Sequence, residues 1–166
     1  MRKAPLPAFP PGGEGKARAA LTGRRRDRYL ALFILYTREV TGERLEDIVR
    51  KYRERSKRGG PPPYTLELLE LVQEHADEID RVIEAYADRW SIQRMPLVDR
   101  SLLRMAAAEI LYREDVPPGV SINECVEMAK RFSTGDSGKF INGVLGHLLR
   151  DLERGEGPAA AARGGG

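Results

Sequence analysis

Apolar residues recur three or four apart along almost the whole chain, and no stretch alternates as a half-buried strand would, so the pattern predicts an all-α fold of about seven helices. Tyr29, Leu32, Phe33 and Tyr36 form an i, i+3, i+4, i+7 stripe widened by Leu30 and Ile34, in a helix that Thr41-Gly42 ends. Leu45, Ile48, Val49 and Tyr52 repeat the spacing in a shorter second helix. Arg53 to Arg58 then runs into Gly59-Gly60-Pro61-Pro62-Pro63, where the prolines predict a stiff extended loop at the surface. Leu68, Leu71, Val72 and His75 mark a third helix, which passes through a bend near Ala76-Asp77 into a fourth carried by Ile79, Val82, Ile83 and Tyr86.

Trp90 and Ile92 follow, and Pro96 takes the place of a first-turn proline in a fifth helix running to about Tyr112. Val98, Leu102, Leu103, Met105, Ala106, Ile110 and Leu111 nearly encircle that helix, which puts it in the middle of a bundle. Val116-Pro117-Pro118-Gly119-Val120 closes it, and Ser121-Ile122-Asn123-Glu124 reads as a capping box for a sixth. On that reading Ser121→Ala costs about 1 kcal/mol. Ile122, Cys125, Val126 and Ala129 give the sixth helix its buried face. Asp136 caps a seventh, built on Phe140, Ile141, Val144, Leu145, Leu148 and Leu152.

Both ends lack this periodicity. Residues 1–21 combine four prolines with Gly12, Gly13 and Gly15 and read as a disordered basic arm; 155–166 read as a disordered tail, leaving 22–154 as one helical domain. The net charge of +3 hides an asymmetry, because residues 1–28 hold eight Lys/Arg against two Asp/Glu, or +6, and everything after Arg28 sums to −3. Arg24, Arg25, Arg26 and Arg28 crowd the first turn of the first helix, where the dipole is already positive and each cation costs a few tenths of a kcal/mol. An anionic partner such as a nucleic acid accounts for them, and a merely solubilising charge run is the plainer alternative.

Candidate chemistry is sparse. His75 and His147 lie at or near core-facing positions with no third ligand at metal-site spacing, so neither a metal nor a cofactor is expected. Cys125, the single cysteine, reads as a buried packing thiol; with no disulfide possible, a reducing cytoplasm fits. Gly135-Asp136-Ser137-Gly138-Lys139 is not a phosphate loop, since Ser133 stands where the first glycine belongs and Phe140 where a hydroxyl should follow the lysine. Acidic pairs such as Asp77/Glu78 and Glu153/Glu156 read as solvated faces. The longest apolar run, Tyr29 to Tyr36, is short of the roughly 20 residues that span a membrane, and the early prolines interrupt any signal peptide. A non-enzymatic binding protein is the expectation.

Four segments sharpen it: Ile79-Asp80-Arg81-Val82-Ile83, Leu97-Val98-Asp99-Arg100-Ser101-Leu102-Leu103-Arg104, Pro117 to Glu124, and Asp136 to Leu145. In order and spacing they resemble the NusB transcription antitermination family, over roughly Gly23 to Leu152. The resemblance implies two packed three-helix-like bundles that bind the boxA element of single-stranded RNA as a heterodimer with the ribosomal protein NusE. It implies RNA contact by Arg24, Arg25, Arg26 and Arg28 and by a second patch of Asp136, Lys139 and Phe140. It places Tyr36 and Asp99 on the surface facing NusE, although Tyr36 would also serve as core and Asp99 as a first-turn acid. Larger assembly with NusA, NusG and RNA polymerase, notably on ribosomal RNA operons, follows from the same resemblance.

The chain departs from the family at Asp27 inside the arginine run, at Phe33-Ile34, and at Gly135. An RNA methyltransferase system using this fold as a stand-alone RNA-binding module is the alternative reading; such enzymes need a cofactor domain that this sequence does not contain. A helix-turn-helix regulator would want a polar recognition helix in place of the apolar fifth one.

Overall fold

A computed structural model describes residues 23–157 apart from Arg89, so the expected arm at 1–21 and the tail from residue 158 lie outside the described residues. Seven α-helices and one 3-10 turn run through the described residues, with no strand among them. The chain divides into two compact units, one ending at Glu70 and the other beginning at Leu71.

The first unit holds α1 (Arg24–Thr41), α2 (Leu45–Arg55) and the beginning of α3 (Pro63–Glu74). Gly42 ends α1 as expected, with φ 73° and its N–H donating to the Arg38 carbonyl at 2.9 Å. An L side chain is strained in that left-handed region, which is why a glycine stands there. Tyr29, Leu30, Leu32 and Ile34 of the predicted stripe are buried in α1, and the stripe is wrong only at its two remaining rings. The deepest positions of α1 are Ala31, Ile34 and Leu35, while Phe33 and Tyr36 are only half-buried. Ala31 and Leu35 join the predicted residues, so the buried surface of α1 is broader than one stripe.

The proline loop is shorter than predicted. Pro63 is the first residue of α3, a position where its missing N–H breaks no bond, and the Leu66 N–H donates to the Pro62 carbonyl at 3.2 Å. Tyr64, Thr65, Leu68 and Leu69 are buried behind it.

The second unit contains the end of α3, then α4 (Ala76–Tyr86), the 3-10 turn Ile92–Arg94, α5 (Leu97–Tyr112), α6 (Pro118–Phe132) and α7 (Ser137–Glu153). The break before α4 falls at His75, close to the predicted bend, and Ile79, Val82, Ile83 and Tyr86 are buried as their spacing required. α5 packs against α4, α6 and α7, the central place its apolar girdle demanded. Arg104 of α5 donates to both oxygens of Asp80 on α4 at 2.9 and 3.1 Å, and the Tyr86 hydroxyl of α4 donates to Asp151 of α7 at 2.8 Å.

Two helix starts depart from expectation. α6 begins at Pro118, so Pro118-Gly119-Val120 belongs to it and Ser121 sits inside the helix, 2% exposed, with its hydroxyl donating to Glu109 of α5. Ser121 is therefore no cap. The fixed φ of Pro118 starts the helix four residues earlier than the Ser-x-x-Glu pattern suggests. Asp136 does hold the cap position of α7, but its side chain makes no capping bond.

Candidate nucleic-acid interface

The arginine cluster belongs to the first unit. Arg24 and Arg25 are exposed, and the Arg26 side chain is 43% exposed with Nε 3.7 Å from Asp27 Oδ1. Asp27 itself is buried, and that Oδ1 has no hydrogen-bond partner, so the acid answers the cluster's charge by proximity. Arg28 stands apart from the other three at 5% exposure. Its guanidinium carbon lies 5.8 Å from the centre of the Tyr64 ring, over which the Arg24 guanidinium stands at 4.6 Å.

Both distances are within cation–π range. One ring thus meets two arginines that lie four apart at the positive end of α1. The neighbouring Thr65, fully buried, donates from Oγ1 to the Asp27 carbonyl at 2.8 Å. Tyr64 and Thr65 were not among the expected site residues. Their signal is faint: Pro63 sits at a first-turn position, which would place an aromatic and a hydroxyl in the opening turn of α3.

Tyr36, on the same helix, is half-buried and about 18 Å along the axis from Arg24 at 1.5 Å per residue. It therefore belongs to a different stretch of α1 surface from the arginines.

In the second unit Asp136 and Lys139 are exposed and Phe140 is half-buried on the first turns of α7. Trp90, 42% exposed, meets Phe140 edge-on, with ring centres 5.0 Å apart and planes at 82°. The expectation that Asp99 faces a partner is corrected. Asp99 is 2% exposed, and its carboxylate accepts from the Ser133 hydroxyl through one oxygen and from Ser137 Oγ at 2.9 Å through the other. Thr134 Oγ1 stands 3.0 Å from Ser137 Oγ. The start of α5 thus holds the turn between α6 and α7, and with it the base of the Asp136–Phe140 patch.

Remaining candidates are structural. Cys125 is buried and donates from Sγ to the Leu102 carbonyl at 3.2 Å; His75 stacks on Tyr112 at 3.9 Å; His147 meets Tyr86 edge-on at 5.0 Å. Among the described residues no three His, Cys, Asp or Glu gather to hold a metal, and no helix is long and apolar enough to cross a membrane. The Gly135–Lys139 turn follows a helix, not the strand a phosphate loop requires.

Exposed arginines at a helix start, and a lysine beside paired aromatic rings on another helix start, give an all-helical protein the surface chemistry of a nucleic-acid binder. The NusB family profile matches residues 25–150, and the chain belongs to that family. It is 41% identical over 128 residues to the transcription antitermination protein NusB of Arthrobacter sp. strain FB24, covering 77% of this chain and 93% of that protein. The NusB of Desulfitobacterium hafniense strain DCB-2 is 40% identical over 134 residues, covering 79% and 90%. Among solved structures, T. maritima NusB superposes with a TM-score of 0.70 at 34% identity, covering 78% of this chain and 92% of that one. A structure of the antitermination factors NusB and NusE in complex with dsRNA matches with a TM-score of 0.64 at 28% identity, covering 76% and 96%.

Proposed function

We propose that this protein is a non-enzymatic RNA-binding antitermination adaptor. Together with NusE it binds boxA-type single-stranded RNA in nascent transcripts, and the pair joins NusA, NusG and RNA polymerase in the cytoplasm, notably on ribosomal RNA operons. The observation that carries this reading is the exposed Arg24-Arg25 pair at the start of α1 in a chain of this family, one of whose solved members was captured with NusE and RNA.

Arg24, Arg25, Arg26 and Lys139 bind phosphates, and Phe140 offers a ring to an unpaired base. Asp136, exposed at the start of the same helix, completes that RNA-facing patch. Arg28, being enclosed, supports the cluster from beneath. Tyr36 remains the candidate contact to NusE on α1.

Fluorescence anisotropy of labelled boxA RNA tests the reading against scrambled and duplex RNA, with and without NusE, across a salt series. Four phosphate contacts give a log–log salt slope of about −3 for a single strand, and Arg24→Ala flattens it by somewhat under one unit. Binding that ignores sequence and is not tightened by NusE would overturn the function. A preference for the duplex would overturn the single-strand assignment. A slope unchanged in the Arg24 variant removes that residue from the site.

A further inference from the structure

Two like charges four residues apart on one helix repel, and the positive end of a helix dipole opposes both. Left to themselves, Arg24 and Arg28 would spread into solvent and sample many rotamers. The Tyr64 ring meets both, with the Arg24 guanidinium at 4.6 Å and the Arg28 guanidinium at 5.8 Å, and the ring is itself 8% exposed and so fixed in place. The next residue, Thr65, is fully buried and ties the first turn of α3 to the Asp27 carbonyl between the two arginines. One turn of α3 therefore fixes both the backbone and a side chain at the beginning of α1.

We infer that Tyr64 is a positioning residue for RNA binding, holding the exposed Arg24 guanidinium ready for the polyanion while Thr65 pins the turn that carries it. The inference rests on the RNA-binding reading of Arg24. Its chemistry is preorganisation: a long side chain already ordered in the free protein loses less freedom when it meets a phosphate. The aromatic face also offsets part of the mutual repulsion of the two arginines.

The test is a double-mutant cycle on the full-length protein with NusE, read by anisotropy of boxA RNA, using Tyr64→Leu, Tyr64→Phe, Arg24→Ala and the Arg24→Ala/Tyr64→Leu pair. Thermal unfolding of each variant is followed alongside. Tyr64→Leu is expected to weaken binding by about 2- to 30-fold, the range of a cation–π contact. The double variant should bind no worse than Arg24→Ala alone, and Tyr64→Phe, which keeps a ring, should stay within about twofold of wild type.

A loss in Tyr64→Leu that multiplies with that of Arg24→Ala means the ring only stabilises the fold, and overturns the inference. So does wild-type affinity in Tyr64→Leu when Arg24→Ala binds poorly. Wild-type affinity in Arg24→Ala overturns the RNA reading of that residue first and the inference with it. Should Tyr64→Leu not fold, Nε–H relaxation of Arg24 in the wild-type protein decides the matter: a side chain ordered before RNA arrives supports the role, and one as mobile as the exposed Arg58 overturns it.

Discussion

A carboxylate enclosed at 2% exposure needs a donor at each oxygen, and Asp99 has Ser133 at one and Ser137 at the other. Asp99→Ala would strand both hydroxyls and is expected to cost about 3 kcal/mol in urea unfolding, within the range for hydrogen bonds to charged groups. A loss under about 1 kcal/mol would show that the cluster holds nothing together. Asp99→Asn, which can still accept at one atom, should cost less. The partners lie 34 and 38 residues away in the chain, so no local pattern around Asp99 could reveal them. Its first-turn position was legible, and its inward direction was not. Arg28 teaches the same lesson from the opposite charge: the run Arg24-Arg25-Arg26-Asp27-Arg28 gave no sign that its last arginine would be buried over Tyr64.

At the scale of elements, the existence and centres of all seven helices were legible, because each has apolar residues at helical spacing, and Gly42, Pro63, Pro96 and Pro118 stand at an end of four of them. Boundaries were less so. Pro63 and Pro118 looked like loop residues yet each is the first residue of a helix, since the missing proline N–H is wanted nowhere else in a helix. The shift at α6 changes what Ser121 does. As a cap it would be replaceable by aspartate, whereas as a buried donor to Glu109 it would not. Ser121→Ala is accordingly expected to cost about 2 kcal/mol, and Ser121→Asp more, because it sets two enclosed carboxylates side by side. Thermal or urea unfolding of the two variants checks this, and an Asp variant more stable than the Ala variant would restore the capping role.

For the whole molecule, the sequence pointed clearly to an all-helical frame with positive charge gathered at one end, but it could not supply the bracing beneath the candidate contacts. Each unit has its own: Tyr64 and Thr65 in the first, Asp99 with Ser133 and Ser137 in the second. The second unit also carries a pH signature. Burial first, and then the hydrogen bonds to Asp151 and Glu78, hold the Tyr86 and Tyr112 hydroxyls well above the ordinary value of 10.0. Their contribution to stability is complete below that value and is lost as pH rises beyond it, when the unfolded chain releases the two protons first. Absorbance at 295 nm, with Tyr86→Phe and Tyr112→Phe as references, should show these two hydroxyls ionising well above pH 10.0 in the folded protein, and their ionisation near pH 10.0 would contradict the burial. The early start of α3 has a further consequence, for tolerance to length changes. The Gly59–Pro62 loop can gain or lose a residue and absorb the difference. A single residue inserted between Thr65 and Leu66 cannot be absorbed in that way: at 3.6 residues per turn it swings the Tyr64 ring about 100° around the helix, away from the arginines.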